Sequence, residues 1–434
     1  MEHSIPSRTL LIPNLKQSAC PDIDLSLKLA ALPTIPRAAA TTIHAHVPLN
    51  KTCIRCWVQK KKCSNSMPCS QCEKFKLPPF ICSPDRVTTI RPFEKWKDMT
   101  YECLFTGVMQ TASTPRTVRL RHYDDGPFLE VDCTQFDPTD KYQINVLTKN
   151  SSGWHMAETS AYCLTDTSID VSEYTKECIE YALREACESS QLESGFFQIT
   201  SYHRDVAVVQ DCLHLYTTLR LLCLGWRFTG EETLEMAAIE DESSAWYKIK
   251  PVPRMVQNQL NHLLEIQMIE LDKKILTTIH KAMQDRQRHT WVVTTLTTFL
   301  LLHIRELDAG RNIYWKRYED ICGFWIHPSK PAALIDEAVA SCNSLLWHYH
   351  LSFGKKALTL DWDKQSSKDM LENNGFLITS MKAIQLYVSY LRAEGKLGRK
   401  ASDLYVDGNP GSVAFTFSSM LFVHTNECQV SDVE

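Results

Sequence analysis

Six cysteines between Cys53 and Cys82 constrain this 434-residue chain more than any other feature. Their spacing is C-x2-C-x6-C-x5-C-x2-C-x9-C, whereas the other eleven of the 17 cysteines are scattered along the chain. A segment of this length has little apolar core of its own. The repeated C-x2-C pairs therefore predict a fold that is held together by metal ions. Unrelated thiols that fill a hydrophobic core would not repeat such pairs.

Zinc is the metal that this donor set favours, because structural zinc prefers four ligands in a tetrahedron and binds thiolates. One ion would leave two cysteines over, but six sulfurs can serve two ions if two of the sulfurs bridge both metals. The run divides into two similar halves: Cys53, Cys56 and Cys63, then Cys69, Cys72 and Cys82. The sequence therefore predicts a small module with two Zn²⁺ ions. The alternative is two separate sites that recruit His44 and His46 as additional ligands.

Positive charge is concentrated in the same window. Residues 51–77 contain seven basic residues and one acidic residue, a net charge of +6, so the rest of the chain carries −10 to give the total of −4. The acidic remainder is repelled by nucleic acid, which concentrates contact with a polyanion on the small basic module. The lysines 60–62 lie between the second and third cysteines. The alternatives for this run are a solvated face and a nuclear-import signal.

The cysteine run resembles the DNA-binding module of the fungal binuclear zinc-cluster transcription factors. All six cysteines have the spacing of that family, and Pro68 stands just before the fourth cysteine. The resemblance covers about 30 residues of the chain. It implies that the first cysteine of each half, Cys53 and Cys69, bridges both ions. It also implies that Cys56 and Cys63 complete one zinc site, and that Cys72 and Cys82 complete the other.

The same resemblance implies how the module would bind double-stranded DNA. In the family, a short helix after the second cysteine enters the major groove. Lys60 aligns with a lysine that reads base edges there, with guanine N7 and O6 of CGG-type triplets as acceptors. Contacts with phosphates are implied for Arg55, Lys61, Lys62 and Lys74. Trp57 and Gln59 depart from the family pattern, which often has arginine at these positions.

The rest of the chain divides by its pattern. Residues 1–49, interrupted by six prolines, are predicted to form a disordered arm, and residues 50–84 form the zinc module. Residues 85–150 are predicted to be a linker with a minor β-hairpin. Residues 151–434 are predicted to form a mostly α-helical regulatory domain, because apolar residues recur at three- and four-residue spacing from about Val171 onward.

Three local patterns refine this division. Thr117–Tyr123 and Phe128–Cys133 alternate in polarity around an Asp-Asp-Gly turn signal, so we expect them to pair as the hairpin. The longest apolar stretch, Trp291–Ile304, is too short to span a bilayer and is predicted to be a buried helix, so we expect no membrane partner. The acidic stretch from Glu231 to Glu242 is interpreted as an exposed helix face or loop, with an activation surface as the alternative.

Composition and motifs also narrow the class of function. The first residues contain no charged region followed by an apolar core, so we expect a reducing compartment in which clustered cysteines bind metal. The chain contains only 14 glycines and none of the phosphate-loop, G-x-S-x-G or H-E-x-x-H signatures of enzymes. We therefore expect a protein that is not an enzyme.

Together these features predict a nuclear, zinc-dependent regulator of RNA polymerase II transcription that binds DNA and contacts the transcription machinery or co-regulators. The alternative is a zinc-stabilised adaptor without specific DNA binding, which would not need the lysine run. Pro84 and Pro92 interrupt the segment after the module, and no heptads appear by Met99. A homodimer is therefore an open expectation without a clear coiled coil to support it.

Overall fold

The fold is taken from a computed structural model, which describes residues 52–64, 66, 68–74, 82, 84, 86–150, 153–189, 191–244, 247–285, 290–317, 325–353, 361–395, 406 and 416–422. The described residues fall into a small unit that ends at Arg86 and a larger unit that begins at Val87. The predicted disordered arm, residues 1–49, lies outside the described residues.

Two short helices organise the small unit, and each begins at a cysteine. Cys53 is the N-cap of α1 (Ile54–Val58), and Cys69 is the N-cap of α2 (Ser70–Glu73); both caps have an extended backbone. The second cysteine of each C-x2-C pair is the third residue of its helix. An N-cap side chain turns back towards the first helical turn, so each pair presents two sulfurs on one side of its helix.

A four-stranded antiparallel sheet and a separate two-stranded ribbon belong to the larger unit. The strands are β1 (Arg116–Arg121), β2 (Leu129–Gln135), β3 (Asn145–Asn150), β4 (Gly153–Glu158), β5 (Tyr162–Leu164) and β6 (Arg227–Thr229). The order in the sheet is β5-β2-β1-β6, while β3 and β4 pair with each other. The hairpin expected from the sequence corresponds to β1 and β2, with Leu120 opposite Leu129. The structure adds β5 and β6, whose short sequences carry little strand signal of their own.

Helices make up most of the larger unit, so the predicted mostly helical character is confirmed. They are α3 (Met99–Thr106), α4 (Ser172–Glu177), α5 (Ile179–Ser189), α6 (Gln191–Tyr202), α7 (Ala207–Leu224), α8 (Arg254–Asp285), α9 (Trp291–Arg317), α10 (Pro331–Phe353), α11 (Gln365–Lys368) and α12 (Gly375–Ala393). The apolar stretch that begins at Trp291 forms the first half of α9. Within the described residues, no helix is both long enough and apolar enough to cross a membrane.

The 32-residue helix α8 connects two hydrophobic clusters. Near its start, Leu260 and Leu264 belong to the cluster that covers one face of the sheet with Leu120. Further along, Ile275 belongs to the main helical core together with Leu300 of α9. A helix of this length spans about 48 Å, so α8 can serve both clusters. The apolar residues buried along α8 are thus part of the core of the larger unit.

Charged side chains are buried where α9 meets its neighbours. Lys95 and Asp308 form an ion pair at 2.5 Å with side chains that are only 3% and 1% exposed. The Glu306 carboxylate, also buried, accepts hydrogen bonds from the backbone N–H groups of Phe417 and Ser418. Buried charges are tolerated when they are paired in this way. These pairs attach a segment before α3 and a segment near the C-terminus to the same helix.

The acidic stretch that begins at Glu231 is a loop beside the sheet. Leu234 within it is fully buried, and the carboxylate of Glu235 forms an ion pair with Arg116 of β1 at 2.8 Å. Glu232 lies 3.8 Å from the same guanidinium group. These contacts agree with the interpretation as a loop, because part of its acidic charge is used to attach the loop to β1.

Candidate metal centre and nucleic-acid interface

The six cysteine sulfurs of the small unit converge into two overlapping groups of four. One group contains Cys53, Cys69, Cys72 and Cys82, and the other contains Cys53, Cys56, Cys63 and Cys69. Within each group, all the sulfur atoms lie within 4.8 Å of one another. The two groups share Cys53 and Cys69, the N-cap residues of the two helices. Two metal ions bound in these groups would therefore have two sulfurs in common.

The distances between sulfurs match the requirements of tetrahedral zinc. Sulfur atoms that bind one zinc ion at about 2.3 Å in a tetrahedron are separated by about 3.8 Å. The Sγ atoms of Cys53 and Cys69 are 3.8 Å apart, and those of Cys53 and Cys72 are 3.7 Å apart. The Cys56 and Cys69 sulfurs are separated by 3.6 Å. All six cysteines have free thiols, so every sulfur in the two groups is available as a ligand.

Burial of the thiols disfavours their deprotonated form, so a nearby positive charge is needed to keep them as thiolates. Burial raises the pKa of Cys56 to about 12 and that of Cys82 to about 11, and it also raises the pKa of Cys53. At Cys69 burial acts in the same direction, but hydrogen bonds from the Cys72 backbone N–H and from neighbouring thiols lower its pKa to about 6. Metal binding requires thiolates. A divalent cation among these sulfurs would supply the charge that keeps them deprotonated, so the donor set fits zinc.

Arg55 lies inside the small unit, away from solvent. Its side chain is only 6% exposed, and its Nη1 donates a hydrogen bond to the backbone oxygen of Gln71 at 2.9 Å. The same nitrogen lies 3.9 Å from the Sγ of Cys72. Arg55 thus joins helix α1 of the first half to helix α2 of the second. This position differs from the phosphate contact expected from the sequence, because a guanidinium group buried against α2 does not face the surface.

The four lysines expected to contact DNA are all exposed. Lys60, Lys61 and Lys62 follow α1 directly, and Lys74 follows α2. Lys60 adopts a left-handed backbone with φ of 53°, after Gln59 ends the helix. The backbone N–H of Lys61 donates to the oxygen of Cys56 at 2.8 Å, which ties the run to the sulfur cluster. The sequence placed the basic run on the short helix, whereas the structure places it in the turn that follows.

Arg86 is a further residue of the small unit that the sequence interpretation missed. Its guanidinium carbon lies 4.5 Å from the centre of the Trp57 ring, and its Nη2 donates to the backbone oxygen of Thr52 at 2.9 Å. The departure of Trp57 from the family pattern was the available signal. An aromatic ring at that position provides a face on which an arginine can stack. Arg86 thereby holds the chain that leaves the module against the start of α1.

The alternative zinc ligands His44 and His46 lie outside the described residues. The six sulfurs form both groups of four by themselves, because two of them are shared. The described residues therefore account for eight ligand positions without any histidine.

Comparison with known proteins addresses the larger unit. A family model described as "KpeA transcription factor" matches residues 83–407, which is about three quarters of the chain. The match begins just after Cys82, so it rests on the helical unit and is independent of the cysteine spacing. No curated protein and no solved structure matches the chain.

Proposed function

The chain belongs to the KpeA transcription factor family, and we propose that this transcription regulator binds double-stranded DNA through a two-zinc cysteine module. The observation that carries the proposal is the pair of sulfur groups that share Cys53 and Cys69, beside an exposed run of lysines. The match to this transcription factor family covers most of the larger unit. The small unit has the donor atoms and the charge that binding to DNA requires.

In this proposal the cysteines have a structural role. Zinc would cross-link the two halves of the module and balance the negative charge of its thiolate ligands. Cys53 and Cys69 would serve both ions, since each belongs to both sulfur groups. Arg55 would support the same arrangement from inside by connecting the two helices. The unit would then fold only when its ligands are metallated, because it has little hydrophobic core other than the cysteines.

The exposed lysines would provide the contacts with DNA. We assign Lys60 to base edges in the major groove, where lysine donates to guanine N7 and O6, and we expect a target with CGG-type triplets. Lys61, Lys62 and Lys74 would contact phosphates, which position the module without reading sequence. Arg55 is removed from the phosphate set because its guanidinium group is buried. The same lysine run would serve as a nuclear-import signal.

The larger unit would regulate the response once DNA is bound. We propose that it acts in the nucleus on promoters of RNA polymerase II, through co-regulators or the transcription machinery, and that it is not an enzyme. A zinc-stabilised adaptor that binds no specific DNA is the competing function. The exposed lysine run favours the regulator, because an adaptor has no need for concentrated positive charge beside its metal centre.

Selection of binding sites from random DNA duplexes by the full-length protein would test the proposal. We expect a motif that contains CGG and that disappears when a chelator removes zinc. The variant Lys60→Ala should retain two zinc ions per chain but lose about 5- to 150-fold in preference for the selected site, since one base contact contributes about 1–3 kcal/mol. The matched control is Lys281→Ala, an exposed lysine of α8 in the larger unit.

Three outcomes would contradict this assignment. Failure to enrich any motif at low salt would favour the adaptor. Enrichment that survives chelation would separate DNA binding from the cysteine module. If Lys60→Ala bound the best site as tightly as the wild type, the base contact would belong to another residue.

A further inference from the structure

Ser64 of the small unit lies in a sequence that basophilic protein kinases select. It follows Lys61, Lys62 and Cys63, so lysines stand three and two positions before the serine. Kinases of this class recognise such basic residues through acidic side chains in their substrate groove. The proposed DNA contacts use the lysines and give Ser64 no role. The serine is therefore a candidate for modification within the basic run itself.

The surroundings of Ser64 suit the approach of an enzyme. Ser64, Lys61 and Lys62 are all exposed. Residues 61–64 belong to no helix or strand. Such a segment can be bound in an extended form without breaking the hydrogen bonds of a helix or a sheet. Both the hydroxyl group and the two lysines that a kinase would recognise are thus on the surface of the module.

The hydroxyl group of Ser64 connects the two halves of the module. Its Oγ accepts a hydrogen bond from the backbone N–H of Ser70, the first residue of α2, at 2.9 Å. It also lies 2.8 Å from the Oγ of Ser66, a second exposed serine. A phosphoryl group on Ser64 would bring three strong acceptor oxygens to this position. Because charged acceptors form the stronger hydrogen bonds, we expect the connection to Ser70 to persist.

We propose that Ser64 is a phosphorylation site and that its phosphorylation weakens the binding of the module to DNA. The inference rests on the proposed binding of DNA. In the reaction, the Oγ of Ser64 attacks the γ-phosphorus of ATP and forms a new P–O bond. The bond from this phosphorus to the bridging oxygen breaks, ADP leaves, and the hydroxyl proton passes to a base of the kinase. The product carries about two negative charges at pH 7.

This negative charge is introduced beside the lysines assigned to DNA. Ser64 is two residues from Lys62, so their Cα atoms are separated by at most about 7.6 Å. Charges at this separation are only partly screened, because the Debye length is about 8 Å at physiological salt. Phosphorylation changes the net charge of residues 51–77 from +6 to about +4. The repulsion acts on DNA phosphates of every sequence, so affinity falls and the preferred motif is unchanged.

The change in charge sets the size of the effect. Each phosphate that the protein neutralises contributes about 0.9 to the slope of log affinity against log salt concentration. Cancelling two positive charges should therefore lower the slope by about 1.8. At about 0.15 M salt, relative to about 1 M, this difference corresponds to an affinity about 30-fold lower. One added charge should lower the slope by about 0.9 and the affinity about fivefold.

The catalytic subunit of cyclic-AMP-dependent protein kinase, which selects basic residues at these two positions, would test the modification. With ATP and the full-length, zinc-loaded protein, it should place a phosphate on Ser64 that mass spectrometry locates. Ser402 follows Arg399 and Lys400 with the same spacing, so the reactions use a Ser402→Ala background. Lys61→Gln should slow phosphorylation of Ser64 at least about tenfold. Absence of phosphate on Ser64, or an equal rate in the Lys61 variant, would overturn the assignment.

The effect on DNA is tested with the motif selected by the wild type. The phosphorylated protein should bind it about 30-fold more weakly, and Ser64→Asp about fivefold more weakly. Ser64→Asn has the same shape as the aspartate variant without its charge and should bind as the wild type does. Ser366→Asp, which places the same charge on an exposed serine of the larger unit, should also bind normally. Each variant should retain two zinc ions per chain, which separates the effect of charge from unfolding.

The outcomes distinguish this inference from the function on which it rests. If the wild type enriches a motif and Ser64→Asp binds it with unchanged affinity and salt slope, the switch is wrong and the DNA-binding function stands. If Ser64→Asn weakens binding as much as Ser64→Asp, the hydroxyl group has a structural role and the electrostatic mechanism is overturned. If the wild type binds no DNA, both the proposed function and the switch are wrong, even when the kinase modifies Ser64.

Discussion

The sequence and the structure predict different roles for Arg55, and the variant Arg55→Ala distinguishes between them. The resemblance implies that Arg55 contacts a phosphate, whereas in the structure its Nη1 donates to the Gln71 backbone oxygen at 2.9 Å. Removing the guanidinium group leaves this oxygen without a charged donor and opens a gap between α1 and α2. A hydrogen bond to a charged group contributes about 1.5–3 kcal/mol.

This loss should appear in the affinity for zinc. Folding of the module and binding of metal are coupled, so free energy lost from the contact between the halves is lost from metal binding. At about 1.4 kcal/mol per factor of ten, Arg55→Ala should weaken zinc binding by about 10- to 100-fold. Competition with a chromophoric chelator would measure this change. The matched control is Lys61→Ala, an exposed lysine in the same module, which should leave zinc affinity within about twofold.

The salt dependence of DNA binding distinguishes a residue that contacts phosphate from a residue with a structural role. Each phosphate contact contributes about 0.9 to the slope of log affinity against log salt concentration. With zinc in excess, Lys61→Ala should lower the slope by about this amount, and Arg55→Ala should leave it unchanged. The structural role of Arg55 would be refuted if its variant kept wild-type zinc affinity and lowered the slope by about one. That result would restore the phosphate contact implied by the sequence.

Two further predictions concern the larger unit. Replacing Lys95 by Met leaves the carboxylate of Asp308 buried without its ion-pair partner, which should cost about 3–5 kcal/mol and lower the melting temperature by about 5 °C. The control is Lys274→Met, which removes an exposed ammonium group from its ion pair with Asp211 and should cost less than about 1 kcal/mol. Equal effects of the two variants in calorimetry would contradict this prediction. Burial, with a smaller effect of nearby Arg227, lowers the pKa of His122 from 6.5 to about 3, so below pH 6.5 the unfolded chain takes up a proton that the folded chain does not. The free energy of unfolding should therefore decrease as the pH falls from about 6.5 towards 3, by about 2 kcal/mol at pH 5. In urea titrations, His122→Asn should show a smaller decrease in the free energy of unfolding between pH 7 and 5 than the wild type. An unchanged decrease would show that another group is responsible.

The metal centre was the part of the molecule most open to prediction from sequence. The spacing C-x2-C corresponds to the distance from an N-cap to the third residue of a helix, so this local pattern alone brings two sulfurs together. Helices were similarly predictable wherever apolar residues recur on one face, as in α7 and α8. The sharing of Cys53 and Cys69 between the two sulfur groups requires that the two halves of the module approach each other. The cysteine spacing allows this approach but does not impose it.

Other features depended on contacts between distant segments. Arg55 precedes Cys56 in a basic window, and only the position of α2 shows that its guanidinium group points inwards. Strand β6 has only three residues and pairs with β1 because α7 returns the chain to that edge.

The sequence by itself determined the donor atoms, their pairing into two halves, the concentration of positive charge and the helical character of the body. These properties follow from local spacing and composition, which every part of the chain carries before it folds. The tertiary structure decided that Cys53 and Cys69 belong to both sulfur groups, that Arg55 is internal and that Lys95 and Asp308 meet in the core. Those results depend on which surfaces come together, because burial and pairing of charge are properties of contacts between segments far apart in the chain.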